Sequence, residues 1–189
     1  MQKLKFNSGI FLLLVLAVTV FSYSEIFKND FTKWDDSQYT VENNAVVNFD
    51  IKEIFSSFQQ GNYCPLTFFS FAAEAKFFGT SPQVFLSFNL LFHLLNTLLV
   101  FFFVKKLLKN ERAALVCSLL FGVHPLHVES VAWIAERKDV LYSLWFLLSL
   151  IFYLNYLENK RNQWLIFSFA TMLLSVLTKE AGITLPLCF

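Results

Sequence analysis

The chain has 189 residues, of which 56% are hydrophobic and 25 are Phe, with a mean hydropathy of +0.54. A water-soluble domain of this length does not need so much apolar surface, whereas a helical bundle facing lipid does. The net charge of +1 gives nucleic-acid binding no support, and three cysteines without metal-ligand spacing (Cys64, Cys117 and Cys188) speak against a disulfide framework.

Residues 9–27 form the first expected span, after a basic start at Lys3 and Lys5 and with Glu25 as its one strong charge. A secretory signal peptide is the rival reading, because Ser22 and Ser24 offer small residues at cleavage-like spacing; either way, residues 28–82 are placed outside. A loop this long is uncommon unless it is functional. Within it, Asp50 and Glu53 make a capping-box pattern, Ile51, Ile54, Phe55 and Phe58 share one helical face, and Gly61 is a stop. A second helix is expected from Pro65 to Gly79, and both suit helices lying along a membrane interface.

Further spans are expected at 84–104, 113–123, 140–157 and 164–178, and 181–189 reads as the start of a sixth, so the chain looks like the N-terminal part of something longer. Asn89, His93 and Asn96 lie on one face of the 84–104 helix, which predicts hydrogen bonds to neighbouring helices. Gly122 and Pro125 end the 113–123 segment. With the N-terminus in the cytoplasm, the inner segments hold eight of the 15 basic residues and two of the 14 acidic ones, the asymmetry that orients such chains. The expected fold class is an all-α, integral-membrane, multi-pass helical bundle with a long first outer loop carrying interfacial helices.

Two polar stretches then face the same outer or lumenal side. One is His124–Asp139, HPLHVESVAWIAERKD; the other is Asp35–Asp36 in FTKWDDSQYT. Charges beside a bilayer are costly, so such a density points to a site where the two stretches meet. His124, His127 and Glu129 lack the helical His spacing of a metal centre, and no metal site is expected. Blander readings stand beside the functional one. Asp35–Asp36 also suits a solvated loop or helix cap. Arg137, Lys138 and Asp139 also suit interfacial anchors bridged among themselves, and Lys179–Glu180 an interfacial ion pair. Glu129 and Glu136, seven apart, would share a helical face and steady Arg137's neighbours.

The run HPLHVESVAWIAERKDVL, together with WDDSQY, NYCPLTFFSF and TKEAGITLP, resembles the membrane half of the transmembrane-and-tetratricopeptide-repeat proteins. These are relatives of the protein O-mannosyltransferases in the GT-C glycosyltransferase superfamily, and the resemblance covers the chain from Asp30 onward. It implies a GT-C-like bundle that takes a sugar from a polyprenyl-phosphate carrier and gives it to a Ser or Thr hydroxyl of an acceptor protein. The partners implied are the polyprenyl-phosphate sugar, the acceptor protein and membrane lipid. No cofactor is implied, because the lipid-linked sugar is a substrate, and metal dependence is left open. Soluble repeats often follow the membrane region in this family and none is present here. Cys64 stands where a larger, often basic, residue would be expected.

On that resemblance, Asp35 or Asp36 takes the acceptor's proton as the anomeric carbon is attacked. The departing lipid phosphate calls for cations, and Arg137 and Lys138, with Lys179 in reserve, are the candidates. Trp133, one helical turn before Arg137, would stack on the sugar or on the guanidinium. Glu129 and His124 complete the expected substrate-binding set. Two other readings stay open. One is a non-catalytic membrane anchor for a repeat domain. The other is a transporter with a charged vestibule, which the absence of Asp, Glu, Lys and Arg from the span interiors disfavours.

Overall fold

The computed structural model describes residues 8–189; Lys3 and Lys5 lie outside them. Helix α1 (Ser8–Ser22) runs into a 3-10 turn at Ser24–Lys28, and the 21 residues together are long and apolar enough to cross a membrane. Thr19 hides its hydroxyl within α1 by donating to the Val15 carbonyl at 2.9 Å.

The long loop is folded. It carries α2 (Asp36–Tyr39), α3 (Asn44–Val47), α4 (Ile51–Ser56) and α5 (Pro65–Phe78). Asn43 caps α3 by accepting from the Ala45 and Val46 amides, and Asp50 caps α4 by accepting from Glu53 N at 3.0 Å. Helix α4 ends at Ser56, short of Gly61, because Ser57 is extended and Gln59 and Asn62 pair across a turn with positive φ at Gln60 and Gly61. Phe58 therefore lies beyond the helix. Helix α5 stops at Gly79, whose φ of 94° and ψ of 179° belong to glycine's own region.

These short helices do more than lie along an interface. Phe68, Phe71 and Ala72 of α5 join Tyr39, Val46 and Ile54 in a buried cluster with Phe85, Leu86, Val131 and Ile134. The loop thus caps one end of the bundle, with Phe77 and Phe78 left exposed.

Helix α6 (Pro82–Leu108) is the longest and ends at Lys109 in the left-handed conformation. Helix α7 (Glu111–Gly122), capped by Asn110, has 12 residues and is too short to cross a bilayer alone. It continues after a 49° bend through a 3-10 turn, Pro125–His127, and α8 (Val128–Ala132). A Cβ on Gly122 would lie 2.4 Å from Thr19 Oγ1 and 3.1 Å from Thr97 Cγ2. Helices α1, α6 and α7 therefore approach one another at a point that only glycine allows.

Helix α9 (Arg137–Asn159) and α10 (Asn162–Thr178) complete the bundle. They are joined by a reciprocal pair: Ser149 Oγ donates to Ser168 O at 2.7 Å and Ser168 Oγ to Ser149 O at 3.0 Å. Residues Glu180–Cys188, expected to open a sixth span, form a 3-10 helix instead. Pro186 supplies no backbone donor there, and a Cβ on Gly182 would lie 2.7 Å from the Ser175 backbone.

The polar stripe of α6 does what its spacing predicts. Asn89 donates to the Val131 and Trp133 carbonyls, His93 to Gly122 O at 2.9 Å and Asn96 to Val140 O at 2.8 Å. The result is an all-α membrane bundle. Among the described residues, three helices are long and apolar enough to span, or four if the bent pair counts as one.

Candidate functional site

The two polar stretches meet at Asp36. This residue opens α2 and is 1% exposed. Its Oδ2 accepts from the Thr32 amide at 2.8 Å, and its Oδ1 accepts from the Ala135 amide at 2.9 Å, 99 residues along the chain. Both oxygens are thus engaged by backbone donors. Asp35 differs: it is half-buried, and its Oδ1 is shielded from solvent without a hydrogen-bond partner. Of the two acids, Asp36 is a pin and Asp35 is the one with an unpartnered oxygen.

Residues 124–139 do not form one helix. Helix α8 ends at Ala132, Trp133 is extended with φ −107° and ψ 121°, and α9 begins at Arg137. The break is held by side chains, since Ala135 N is given to Asp36 and the Val131 and Trp133 carbonyls accept from Asn89. Two expectations built on helical spacing are therefore corrected. Trp133 packs edge-to-face on Trp34, with centroids 5.4 Å apart, while Arg137 lies over Phe71 at 4.6 Å and Phe92 at 5.4 Å. Glu129 stands exposed in the first turn of α8 and Glu136 lies just before the first turn of α9, so they share no helical face.

Arg137, expected as a lipid-phosphate clamp, is fully buried. Its guanidinium binds the Glu74 carboxylate in a fork, with Nη2 to Oε2 at 2.9 Å and Nη1 to Oε1. The remaining donors go to Ser70 Oγ at 3.2 Å, Phe85 O at 2.7 Å and Asn89 Oδ1. An arginine has five N–H donors, and all are taken within the protein. The guanidinium instead ties α5, α6 and α9 into one unit. Glu74 was not among the expected residues, although one acid in the apolar run FFSFAAEAKFF signals a buried partner.

The other cations stay near the surface of the site, each with its own partner. Lys138 Nζ is 3.0 Å from Glu136 and 5.8 Å from the centre of the Tyr39 ring. Lys179 pairs with Asp139, not with the adjacent Glu180, because Asp139 projects from the first turn of α9 beside the end of α10. The second Asp139 oxygen accepts from Ser130 Oγ at 3.3 Å. The basic residues of the 137–139 run thus do not bridge among themselves. Burial pushes the Glu136 carboxyl above the usual carboxylate range despite Lys138, and it pushes the Cys64 thiol up to about 11. Lys138 also lies within electrostatic reach of Tyr39 and Cys64, and Asp35 within reach of Tyr39. Asp35, Tyr39, Cys64, Glu136 and Lys138 therefore share one neighbourhood. His124 does not join it: it is exposed, and its Nδ1 accepts from Leu126 N to cap the 3-10 turn.

Beside this neighbourhood a cleft of about 320 Å³ opens between α6, the α7–α8 bend and α9. Asn96, His127, Ser130, Asp139, Tyr142 and Lys179 are among the residues lining it. A larger cleft of about 620 Å³ lies at the opposite end of α6 and α9, where Lys105 pairs with Glu111 and Lys106 with Glu158. It is remote from the acids and the turn. Among the described residues, no cluster of three or more His, Cys, Asp or Glu is placed to hold a metal ion.

An apolar helical bundle with charged and polar groups gathered under a folded loop defines an all-α integral membrane protein with a polar site at one end. Residues 62–189 match the family model described as dolichyl-phosphate-mannose-protein mannosyltransferase, and the chain belongs to this family. It is similar to protein O-mannosyl-transferase TMTC1 of Mus musculus, 38% identical over 109 residues that make up 57% of this chain and 12% of the relative. Protein O-mannosyl-transferase F38B6.6 of Caenorhabditis elegans is 30% identical over 193 aligned positions, covering 93% of this chain and 27% of the relative. Protein O-mannosyl-transferase TMTC4 of Homo sapiens is 28% identical, with 91% and 27% covered. The chain thus spans from about a tenth to about a quarter of the length of these relatives. No solved structure matches it.

Proposed function

We propose that this chain carries the acceptor-activating part of a membrane glycosyltransferase. It would move a sugar from a polyprenyl phosphate to a protein Ser or Thr hydroxyl at the outer or lumenal face. The observation that carries the reading is the division of labour between adjacent acids, Asp36 held by backbone amides and Asp35 with a shielded, unpartnered oxygen. The acceptor oxygen forms its bond to the anomeric carbon, and its proton passes to Asp35. The bond from that carbon to the phosphate oxygen breaks, and the electron pair leaves with the polyprenyl phosphate. Lys138 and Lys179, which stay near the surface, receive that charge in place of the enclosed Arg137. Trp34, 77% exposed and braced by Trp133, offers an aromatic face to the sugar or the acceptor.

The site's pairing favours one other reading. Arg137, Lys138 and Lys179 each already have a carboxylate partner, as a non-catalytic membrane anchor for a repeat domain would require. The two readings separate in membranes containing the full-length protein, given a labelled polyprenyl-phosphate mannose and a Thr-containing peptide. The enzyme labels that peptide and spares its Val counterpart, and Asp35→Asn abolishes the transfer. Absence of label from any polyprenyl-phosphate sugar would favour the anchor.

A further inference from the structure

The cleft between α6, the α7–α8 bend and α9 has a chemical bias that the site's charges do not explain. Asn96 lies at its floor and is 1% exposed. Its Nδ2 donates to Val140 O at 2.8 Å, which fixes the amide's orientation, since the flipped amide would set two oxygens against each other. Oδ1 is then a buried acceptor with no donor. A buried acceptor left unmet is costly, and such an atom at the floor of a polar cleft marks a place for a ligand's hydrogen.

Several other lining groups are acceptors too. His127 Nδ1 lies 2.9 Å from Phe121 O, and His93 Nε2 2.9 Å from Gly122 O. A carbonyl oxygen only accepts, so each of these nitrogens carries the proton, and in the neutral rings His127 Nε2 and His93 Nδ1 are acceptors. Ser130 spends its hydroxyl hydrogen on Asp139, leaving its oxygen lone pairs. Lys179, the cation of the cleft, is matched by Asp139. The cleft is therefore rich in acceptors and close to neutral, with Tyr142 and Phe121 contributing aromatic surface. The hydroxyls of Tyr142 and Ser143 and the spare hydrogens of Lys179 line the same walls, so the cleft offers donors beside its acceptors. An uncharged ligand bearing several hydroxyl donors fits them.

We propose that this cleft is a hexose subsite, in which Asn96 Oδ1 and His127 Nε2 accept hydrogen bonds from ring hydroxyls of the transferred sugar. The assignment to the transferred sugar rests on the glycosyltransferase reading; recognition of a hydroxyl-rich ring does not. The volume of about 320 Å³ holds one hexose ring with room for water. Asn96 and His127 act here in sugar recognition, apart from the proton transfer assigned to Asp35.

Equilibrium binding to the full-length protein in detergent tests this with two water-soluble probes, a short-chain prenyl-phosphate mannose and the same prenyl phosphate without sugar. The wild type should prefer the mannosylated probe by about tenfold or more, the margin expected of one or two hydrogen bonds to an otherwise unmet acceptor. Asn96→Leu should remove most of that margin while leaving affinity for the sugar-free probe unchanged. His127→Phe keeps the ring packing against Phe121, deletes the acceptor and should narrow the margin too, which provides a second variant should Asn96→Leu not fold. An equal preference in wild type and folded variants, or no preference in wild type, would overturn the subsite. A margin that depends on Asn96 in a protein that transfers no sugar would uphold the subsite and refute only the transferase reading.

Discussion

Asp36 in the first loop and Ala135 in the turn before α9 are joined by a 2.9 Å hydrogen bond from the Ala135 amide to the Asp36 carboxylate, across 99 residues of chain. The bond closes the folded loop onto the bundle and sets Asp35 beside Tyr39 and Lys138. Everything proposed for the site depends on that closure.

The Glu74–Arg137 pair should act on stability. Breaking a buried pair by removing one partner strands the other charge, at a cost of about 3–5 kcal/mol. Glu74→Leu and Arg137→Met are each expected to lower the unfolding temperature sharply. The double variant should be less destabilised than the sum of the two, because neither charge is left alone. Thermal unfolding of the four proteins in one detergent measures this, and additive losses would contradict it. Arg137→Lys should behave as a loss, because an ammonium has three donors and cannot make the five hydrogen bonds of the guanidinium.

Cys64 should be inert. Its thiol is buried and pushed up to about 11, so at pH 8 only about one part in a thousand is thiolate, the reactive form. Maleimide at pH 8 should label the exposed Cys188 and leave Cys64 untouched until the protein is unfolded. Mass spectrometry of the labelled chain shows which occurred, and rapid labelling of Cys64 in the folded protein would contradict its burial.

Glu136 gives a pH dependence of known sign. Burial raises its carboxyl in the folded chain, against the pull of Lys138, so the folded state holds its proton to higher pH than the unfolded state does. Its contribution to stability is present below the ordinary carboxylate pKa and is lost as pH rises through the raised folded value. The wild type should therefore lose more stability between acid and neutral pH than Glu136→Gln, in unfolding scans across that range. Parallel pH profiles for the two proteins would refute this.

Parts of this architecture were legible in the sequence because they depend on spacing and composition. The apolar segments, the caps at Asp50, Pro65 and Gly79, and the Asn89–His93–Asn96 stripe follow from local rules. The short helices α2 and α3 were missed, although Asn43 before NAVV is a capping signal. The site itself was less legible, because its key contacts are long-range. Nothing near Arg137 tells that its partner is Glu74, 63 residues earlier, and the 124–139 run looks helical until Asp36 and Asn89 claim its backbone. Lys179 shows the same limit: its sequence neighbour Glu180 was the obvious partner, and Asp139, 40 residues away, is the one that folding supplies.

The most direct test of the account compares Asp35→Asn with Asp36→Asn in the full-length protein, reading both sugar transfer and thermal stability. Asp35→Asn should keep the wild-type unfolding temperature and lose transfer, since its unpartnered oxygen is assigned to proton transfer rather than to the fold. Asp36→Asn should lower stability by about 1–3 kcal/mol, because an amide NH₂ would face a backbone donor that the carboxylate now meets. Full transfer activity in a folded Asp35→Asn protein would contradict the account.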